Sequence, residues 1–183
     1  MKQLHITTRF LFISTAILLA GLTRLIDHPF NFTAIGAMAL FGGASFTDRR
    51  VAILLPMLTM LVTDLILGFH DTMIYVYPSI VLISVLGIYI SNRRSFGTIL
   101  VGTLASSFLF FMITNFGVWA AGGLYPMNFS GLMQSYVSGL AFYDHSFFGN
   151  LALNTVMGDL FFSALLFGSL AFASLRFPQL AKV

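Results

Sequence analysis

Long apolar runs separated by short polar connections limit the folds open to this chain more than any other feature. A helix needs roughly 20 residues to cross the bilayer core of about 30 Å, and several runs reach that length. They are longer and more uniform than the alternating strands of a membrane β-barrel. The second run is the shortest, which indicates a tilted helix or an incomplete crossing. The sequence predicts six transmembrane helices, at about 10–26, 32–46, 51–69, 73–91, 97–120 and 148–174.

The composition indicates an integral membrane protein. Hydrophobic residues make up 58% of the 183 residues and charged residues 8%, whereas soluble domains carry about 25% charged residues. Little chain remains for a soluble domain, so residues 1–183 are predicted to form a single all-α transmembrane domain. The first run lacks a convincing signal-peptidase site, which predicts a retained helix. The absence of cysteine excludes disulfides and cysteine-ligated metals.

The basic residues indicate the orientation of the bundle. If the connections alternate between the two faces of the membrane, eight of the nine Lys and Arg residues lie on the side of the N-terminus, and only Arg24 lies on the other. Basic connections remain in the cytoplasm, which predicts a multi-pass membrane protein with both termini in the cytoplasm. This placement explains the net charge of +3 without a nucleic-acid partner.

Polar residues within the runs collect toward the outer face. Asp64 and Asn115 lie in the outer thirds of their runs, and Asp159 lies near the middle of the last run. Ionisable residues in membrane segments usually face the bundle interior or a cavity, and the cytoplasmic halves of the runs are almost wholly apolar. This asymmetry predicts a pocket open to the outside rather than a channel. Its candidate substrate-binding residues are Arg24, His28, Asp64, His70, Asn115, Trp119, Tyr125, Asn150, Asn154 and Asp159.

Each candidate has a structural alternative. Asp64 and Arg24 lie at the same depth and can form an ion pair that serves only stability. The three asparagines can join helices by hydrogen bonds, and Asp159 can be a buried structural acid. The outer aromatic residues fit an interfacial belt. His28 and His70 can lie in outer loops without binding anything, because their spacing matches no metal-binding motif.

The connection at 121–147 is long for a helical bundle. It contains no Lys or Arg and is rich in Gly, Met and aromatic residues. Two interpretations remain open: a lid over the pocket, or an interfacial helix at about 127–141.

Known catalytic motifs are absent from the sequence. The chain has no P-loop, no H-E-x-x-H and no G-x-S-x-G, which predicts a protein that is not an enzyme. One alternative is an intramembrane enzyme that uses Asp64 and Asp159 as an acid–base pair. Another is a structural or assembly protein whose polar residues only join helices.

Three stretches carry a resemblance to known transport proteins. They are RLIDHPFNFTAIGAMALFGGASF at 24–46, TDLILGFH at 63–70 and ITNFGVWAAGGLYP at 113–126. Over residues 24–168 the chain resembles an uncharacterised family of bacterial putative transport membrane proteins. Its length, its predicted topology and the small residues Ala16 and Ala20, four apart in the first helix, resemble the substrate-binding S components of energy-coupling factor (ECF) transporters.

The resemblance to S components implies uptake of a small nutrient across a bacterial inner (cytoplasmic) membrane. S components bind vitamins or metal ions in an outward-facing pocket, and most dock onto a coupling subunit driven by two ATPases, although some act without one. By this resemblance Ala16 and Ala20 form the docking face, the outer polar cluster binds the substrate, and no cofactor is needed. Cobalamin is the leading candidate, with thiamine and other aromatic vitamins as alternatives. A metal substrate is disfavoured, because only His5 lies near the start.

Overall fold

The computed structural model describes residues 7–141 and 146–181 as an all-helical bundle. Lys2 and Lys182, on which the predicted orientation partly rests, and His5, considered in disfavouring a metal substrate, lie outside the described residues. Residues 142–145, within the connection predicted at 121–147, also lie outside the described residues. The α-helices of the described residues are α1 Thr8–Leu22, α2 Ile35–Ser45, α3 Arg49–Leu67, α4 Met73–Ile90, α5 Phe96–Ala120, α6 Phe129–Leu140 and α7 Leu151–Arg176, with short 3₁₀ turns at Thr23–Leu25 and Pro178–Leu180.

Five helices are long and apolar enough to cross a membrane. They correspond to five of the six predicted runs, and their length and composition are those of a multi-pass membrane protein. The candidate spans are Thr8–Leu25, Arg49–Leu67, Met73–Ile90, Phe96–Ala120 and Leu151–Arg176. The remaining predicted run corresponds to α2, which is shorter than these five.

Helix α2 lies at the centre of the bundle. Its 11 residues are all buried, and it packs against α1, α3, α4, α5 and α7. At 1.5 Å per residue it rises only about 16 Å, roughly half of the hydrocarbon core. A helix that is apolar on every face must be shielded from water on every face. For α2 the surrounding helices provide that cover. The short second run of the sequence is therefore the core helix around which the longer ones are arranged.

Two glycines allow α2 and α4 to pack backbone against backbone. A methyl group on Gly43 would overlap the carbonyl oxygen of Ser84, and one on Gly87 would overlap the carbonyl oxygen of Leu40. Small residues at a contact let membrane helices approach this closely, which strengthens their van der Waals packing. The contact between α2 and α4 therefore depends on the absence of side chains at these two positions.

We expect Gly43→Ala to destabilise the bundle by about 1–3 kcal/mol, the usual cost of overpacking a filled core. The matched control is Gly168→Ala on α7, because a methyl group there meets nothing within 4 Å. Unfolding of both variants in mild detergent measures the difference. A Gly43→Ala variant as stable as the Gly168→Ala variant would contradict the close contact.

The connections described below collect at two ends of the bundle. At one end Arg9 donates hydrogen bonds to the carbonyls of Ser45 and Leu180, and the same residue and Arg94 line one cavity. This end therefore joins the start of α1, the end of α2, the α4–α5 connection and the region after α7. The α1–α2 and α3–α4 connections lie together at the opposite end, around a second cavity.

The connection at 121–147 contains a helix, α6, as one of the two interpretations of the sequence expected. The helix spans Phe129–Leu140, slightly less than the predicted 127–141. It packs on α5: the Ser135 hydroxyl donates to the carbonyl of Asn115 at 2.8 Å, and the Tyr136 hydroxyl donates to the carbonyl of Met112 at 3.1 Å. Its outer face is an exposed apolar stripe, as in helices that lie in a membrane interface. The stripe consists of Phe129, Met133, Val137 and Leu140.

Candidate functional site

A cavity of about 530 Å³ lies at the end of the bundle that holds the α1–α2 and α3–α4 connections. Its wall is built from both connections and from parts of α2 to α5 and α7. Polar and apolar side chains contribute in similar numbers. The lining residues are Arg24, His28, Phe30, Asn31, Thr33, Ile35, Met60, Leu67, His70, Thr72, Val76, Phe110, Thr114, Asn115, Val118 and Leu151.

One charged residue of the wall, Arg24, is held by a buried network. Its Nη2 lies 2.8 Å from Oδ1 of Asp64, whose side chain is 1% exposed. Its Nη1 donates to the hydroxyl of Thr63, and Tyr77 donates to the other carboxylate oxygen of Asp64 at 2.9 Å. The ion pair considered from the sequence is therefore present. Asp64 lies behind Arg24 and orients it, while Arg24 faces the cavity.

Sequence reasoning missed Tyr77, although a signal for it exists. Helices α3 and α4 are antiparallel neighbours joined by the short connection at 68–72. Residues at equal distances from that connection lie at equal depth, and Tyr77 lies about as far after it as Asp64 lies before it. A hydroxyl at the depth of a buried carboxylate is a natural donor to it.

The two predicted histidines both line the cavity. Nδ1 of His28 lies 2.9 Å from the carbonyl of Pro29, and Nδ1 of His70 lies 2.9 Å from the hydroxyl of Thr72. A carbonyl only accepts, so Nδ1 of His28 is the donor and its Nε2 is an acceptor in the neutral ring. Among the described residues, no group of three or more His, Cys, Asp or Glu side chains is arranged to hold a metal.

Asn115 connects the cavity wall to α6. Its side-chain amide donates to the carbonyl of Phe111 at 2.9 Å, and its Oδ1 lies against Gly139 so closely that a methyl group there would be 2.5 Å away. Its backbone carbonyl accepts the hydroxyl of Ser135. Asn115 therefore both lines the cavity and fixes α6 on α5.

Asp159 has a structural partner that explains its burial. Helix α2 begins inside the bundle, and its N-cap residue Ala34 offers no side-chain hydrogen bond. The first backbone N–H groups of a helix lack internal partners, and unsatisfied groups are costly within a membrane. Asp159 accepts from the backbone N–H of Ala37 at 2.9 Å and from the hydroxyl of Ser107 at 2.7 Å, and its carboxylate packs against Gly36. It caps α2 from another helix.

Two asparagines hold the backbone around the same entry. The side-chain amide of Asn154 donates to the carbonyls of Phe30 and Phe148 at 2.9 and 2.7 Å. Asn150 accepts from the backbone of Leu153, which caps α7, and donates to the carbonyl of Leu140. Asn150, Asn154 and Asp159 lie outside the described cavity lining, so we omit them from the proposed ligand contacts.

The remaining predicted residues lie elsewhere. The indole of Trp119 donates to the carbonyl of Pro126 at 2.9 Å, and neither it nor Tyr125 belongs to the described lining of the cavity. Ala16 and Ala20 line a separate groove of about 730 Å³ between α1 and α7. The structure thus brings together Arg24, His28, His70 and Asn115 at the cavity, with Asp64 directly behind Arg24.

Residues 4–180 match the Family of unknown function (DUF6580), and the chain belongs to this family. Neither a curated protein nor a solved structure matches the chain.

Proposed function

We propose that this member of a family of unknown function is a membrane-embedded binding subunit for the uptake of a small nutrient. The observation that carries the proposal is the cavity of about 530 Å³ at the end of the bundle poor in basic residues. Binding pockets for small molecules are mostly about 300–1,000 Å³ and combine apolar walls with a few polar groups. This cavity has that size and that mixture.

The proposed topology follows the distribution of charge. The basic end of the bundle faces the cytoplasm of a bacterial inner membrane, with both termini on that side, and the cavity faces outward. The sixth crossing consists of α2 together with the non-helical segment that precedes it. Non-helical backbone at membrane depth requires cover by protein. The hydrogen bond from Asn154 to the carbonyl of Phe30, which lies in that segment, supports this arrangement.

The proposed ligand contacts are Arg24, His28, His70 and Asn115, with Asp64 as the residue that positions Arg24. The pair Arg24–Asp64 is neutral overall, which favours a polar but weakly charged ligand. An aromatic vitamin of the thiamine kind is small enough for the cavity. Cobalamin, the leading candidate from the sequence, is much larger and would project from the mouth of the cavity.

The proposed partners are those of an ECF transporter: a coupling subunit in the membrane and its two ATPases. The groove between α1 and α7 supports this part of the proposal, because Ala16 and Ala20 line it and small residues favour close helix contacts. A solitary uptake protein is the alternative arrangement. Copurification of a tagged chain with the coupling subunit and ATPases distinguishes the two.

The first test is to purify the full-length protein in mild detergent, denature it and identify released small molecules by mass spectrometry. We expect a vitamin-like compound in stoichiometric amount, and a rise in melting temperature when the compound is added back. The double variant His28→Ala/His70→Ala should lose at least tenfold in affinity, because both rings line the cavity. Asp71→Asn is the matched control, an exposed neighbour outside the described lining.

A structural protein without a ligand is the second candidate. It is favoured by the internal contacts of Asp64 and Asp159, which account for these two carboxylates without any substrate. An empty protein whose melting temperature does not respond to thiamine, cobalamin or other B vitamins would favour this candidate over uptake. An acid–base enzyme receives no such support, because Asp64 and Asp159 belong to separate networks.

A further inference from the structure

A second cavity, of about 490 Å³, lies at the opposite, basic end of the bundle. The roles proposed above leave it without a function. It lies between the start of α1, the α4–α5 connection and the end of α7. Its lining residues are Arg9, Ser91, Asn92, Arg94, Ile99, Phe167, Leu170, Ala171, Ser174 and Ala181.

Two guanidinium groups share this cavity, and its described lining contains no carboxylate. Arg94 is partly buried and has no hydrogen-bond or ion-pair partner within 7–141 and 146–181. Burial removes part of the hydration of its charge and thereby lowers the pKa of Arg94. Its neighbour in sequence, Arg93, is exposed. Partial burial of a cation without a counter-charge is unfavourable, so an anion from outside the chain would stabilise it.

Arg9 is fixed in place beside Arg94. It donates to the carbonyl of Leu180, and its Nη2 lies 3.3 Å from the carbonyl of Ser45, the last residue of α2. Carbonyls at a helix end carry partial negative charge, which holds Arg9 but leaves its full positive charge largely uncompensated. Two like charges facing one cavity repel each other. The arrangement is therefore suited to an anion that lies between them.

We propose that this cavity binds a phosphate group, carried by an anionic phospholipid or present as free phosphate. Guanidinium groups present a planar fork of donors that matches phosphate oxygens. The wall combines uncharged polar residues with an apolar part formed by Ile99 of α5 and by Phe167 and Leu170 of α7. This apolar part suits the glycerol and upper acyl region of a lipid. The cavity lies at an end of the helical bundle, which is where lipid headgroups surround a membrane protein.

The experiment uses delipidated full-length protein in mild detergent and three probes: dihexanoyl phosphatidylglycerol, dihexanoylglycerol without phosphate, and inorganic phosphate. Native mass spectrometry counts bound molecules, and thermal unfolding gives apparent affinity. We expect the phosphate-containing lipid to bind and the phosphate-free lipid to bind at least tenfold more weakly. Saturation by inorganic phosphate at a comparable concentration would instead assign the site to free phosphate.

Arg94→Gln should weaken binding of the phosphate-containing probe at least tenfold, whereas Arg93→Gln should stay within twofold of the unaltered protein. Should Arg94→Gln fail to fold, Arg94→Lys replaces it, with an intermediate loss because lysine keeps the charge but not the fork. Equal losses in the variants at 93 and 94, or no binding of either phosphate probe, would overturn the proposal. The result is independent of the nutrient proposed for the outer cavity, since neither arginine lines it.

Discussion

Asp159→Ala is expected to cause a large loss of stability, about 2–4 kcal/mol. The substitution leaves the backbone N–H of Ala37 without an acceptor and removes one of the two acceptors of the Ser107 hydroxyl, which keeps the carbonyl of Thr103. An unsatisfied buried donor costs about 1–3 kcal/mol and a lost hydrogen bond about 1 kcal/mol, and the backbone group cannot turn away to find another partner. Denaturant unfolding of the full-length protein in mild detergent measures the loss.

Ser107→Ala is the matched control for this prediction. It removes one donor from the network but leaves Asp159 to cap α2, so we expect a loss of about 1 kcal/mol, typical of a single hydrogen bond. Asp159→Asn should be intermediate, because one oxygen remains as an acceptor while the new NH₂ group faces donors. If Ser107→Ala and Asp159→Ala were equally destabilising, the capping of α2 from α7 would not be the main role of this carboxylate.

Much of the fold follows from the sequence, because the length of an apolar run reports directly on helices that cross a membrane. The five long runs became helices, and the second run was correctly predicted to be short. Its central position could not be predicted. Lipid tails and protein interiors are both apolar, so hydropathy does not distinguish a helix covered by lipid from α2, which is covered by protein. A contact such as that of Gly43 with Ser84 can be predicted only when the helix that packs against α2 is known.

The sequence predicted how deep the candidate residues lie along their helices, but only partly which way their side chains point. Depth alone correctly grouped Arg24 with Asp64 at one end of the bundle. It could not show that Asn154 and Asp159 point toward the backbone around 30–37, because the need for those hydrogen bonds arises from a helix that starts inside the bundle. Tyr77 was missed for a related reason: a tyrosine near a helix end is usually attributed to the interfacial aromatic belt.

Asp64→Ala is expected to destabilise the bundle by about 3–5 kcal/mol, the usual result of removing one partner of a buried ion pair. It leaves Arg24 without its counter-charge and the Tyr77 hydroxyl without its acceptor. Tyr77→Phe, the matched control, removes one hydrogen bond and should cost only about 1 kcal/mol.

The loss of stability in the double variant Arg24→Met/Asp64→Ala should be smaller than the sum of the losses in its two single variants, because both charges are then absent. Unfolding in mild detergent of the unaltered protein, the single variants Arg24→Met and Asp64→Ala and the double variant measures this coupling. A double variant whose loss equals that sum would show that the pair does not hold α1 to α3. If the pair only orients Arg24 for a ligand, Asp64→Ala would weaken the thermal response to that ligand while leaving the stability of the empty protein near that of Tyr77→Phe.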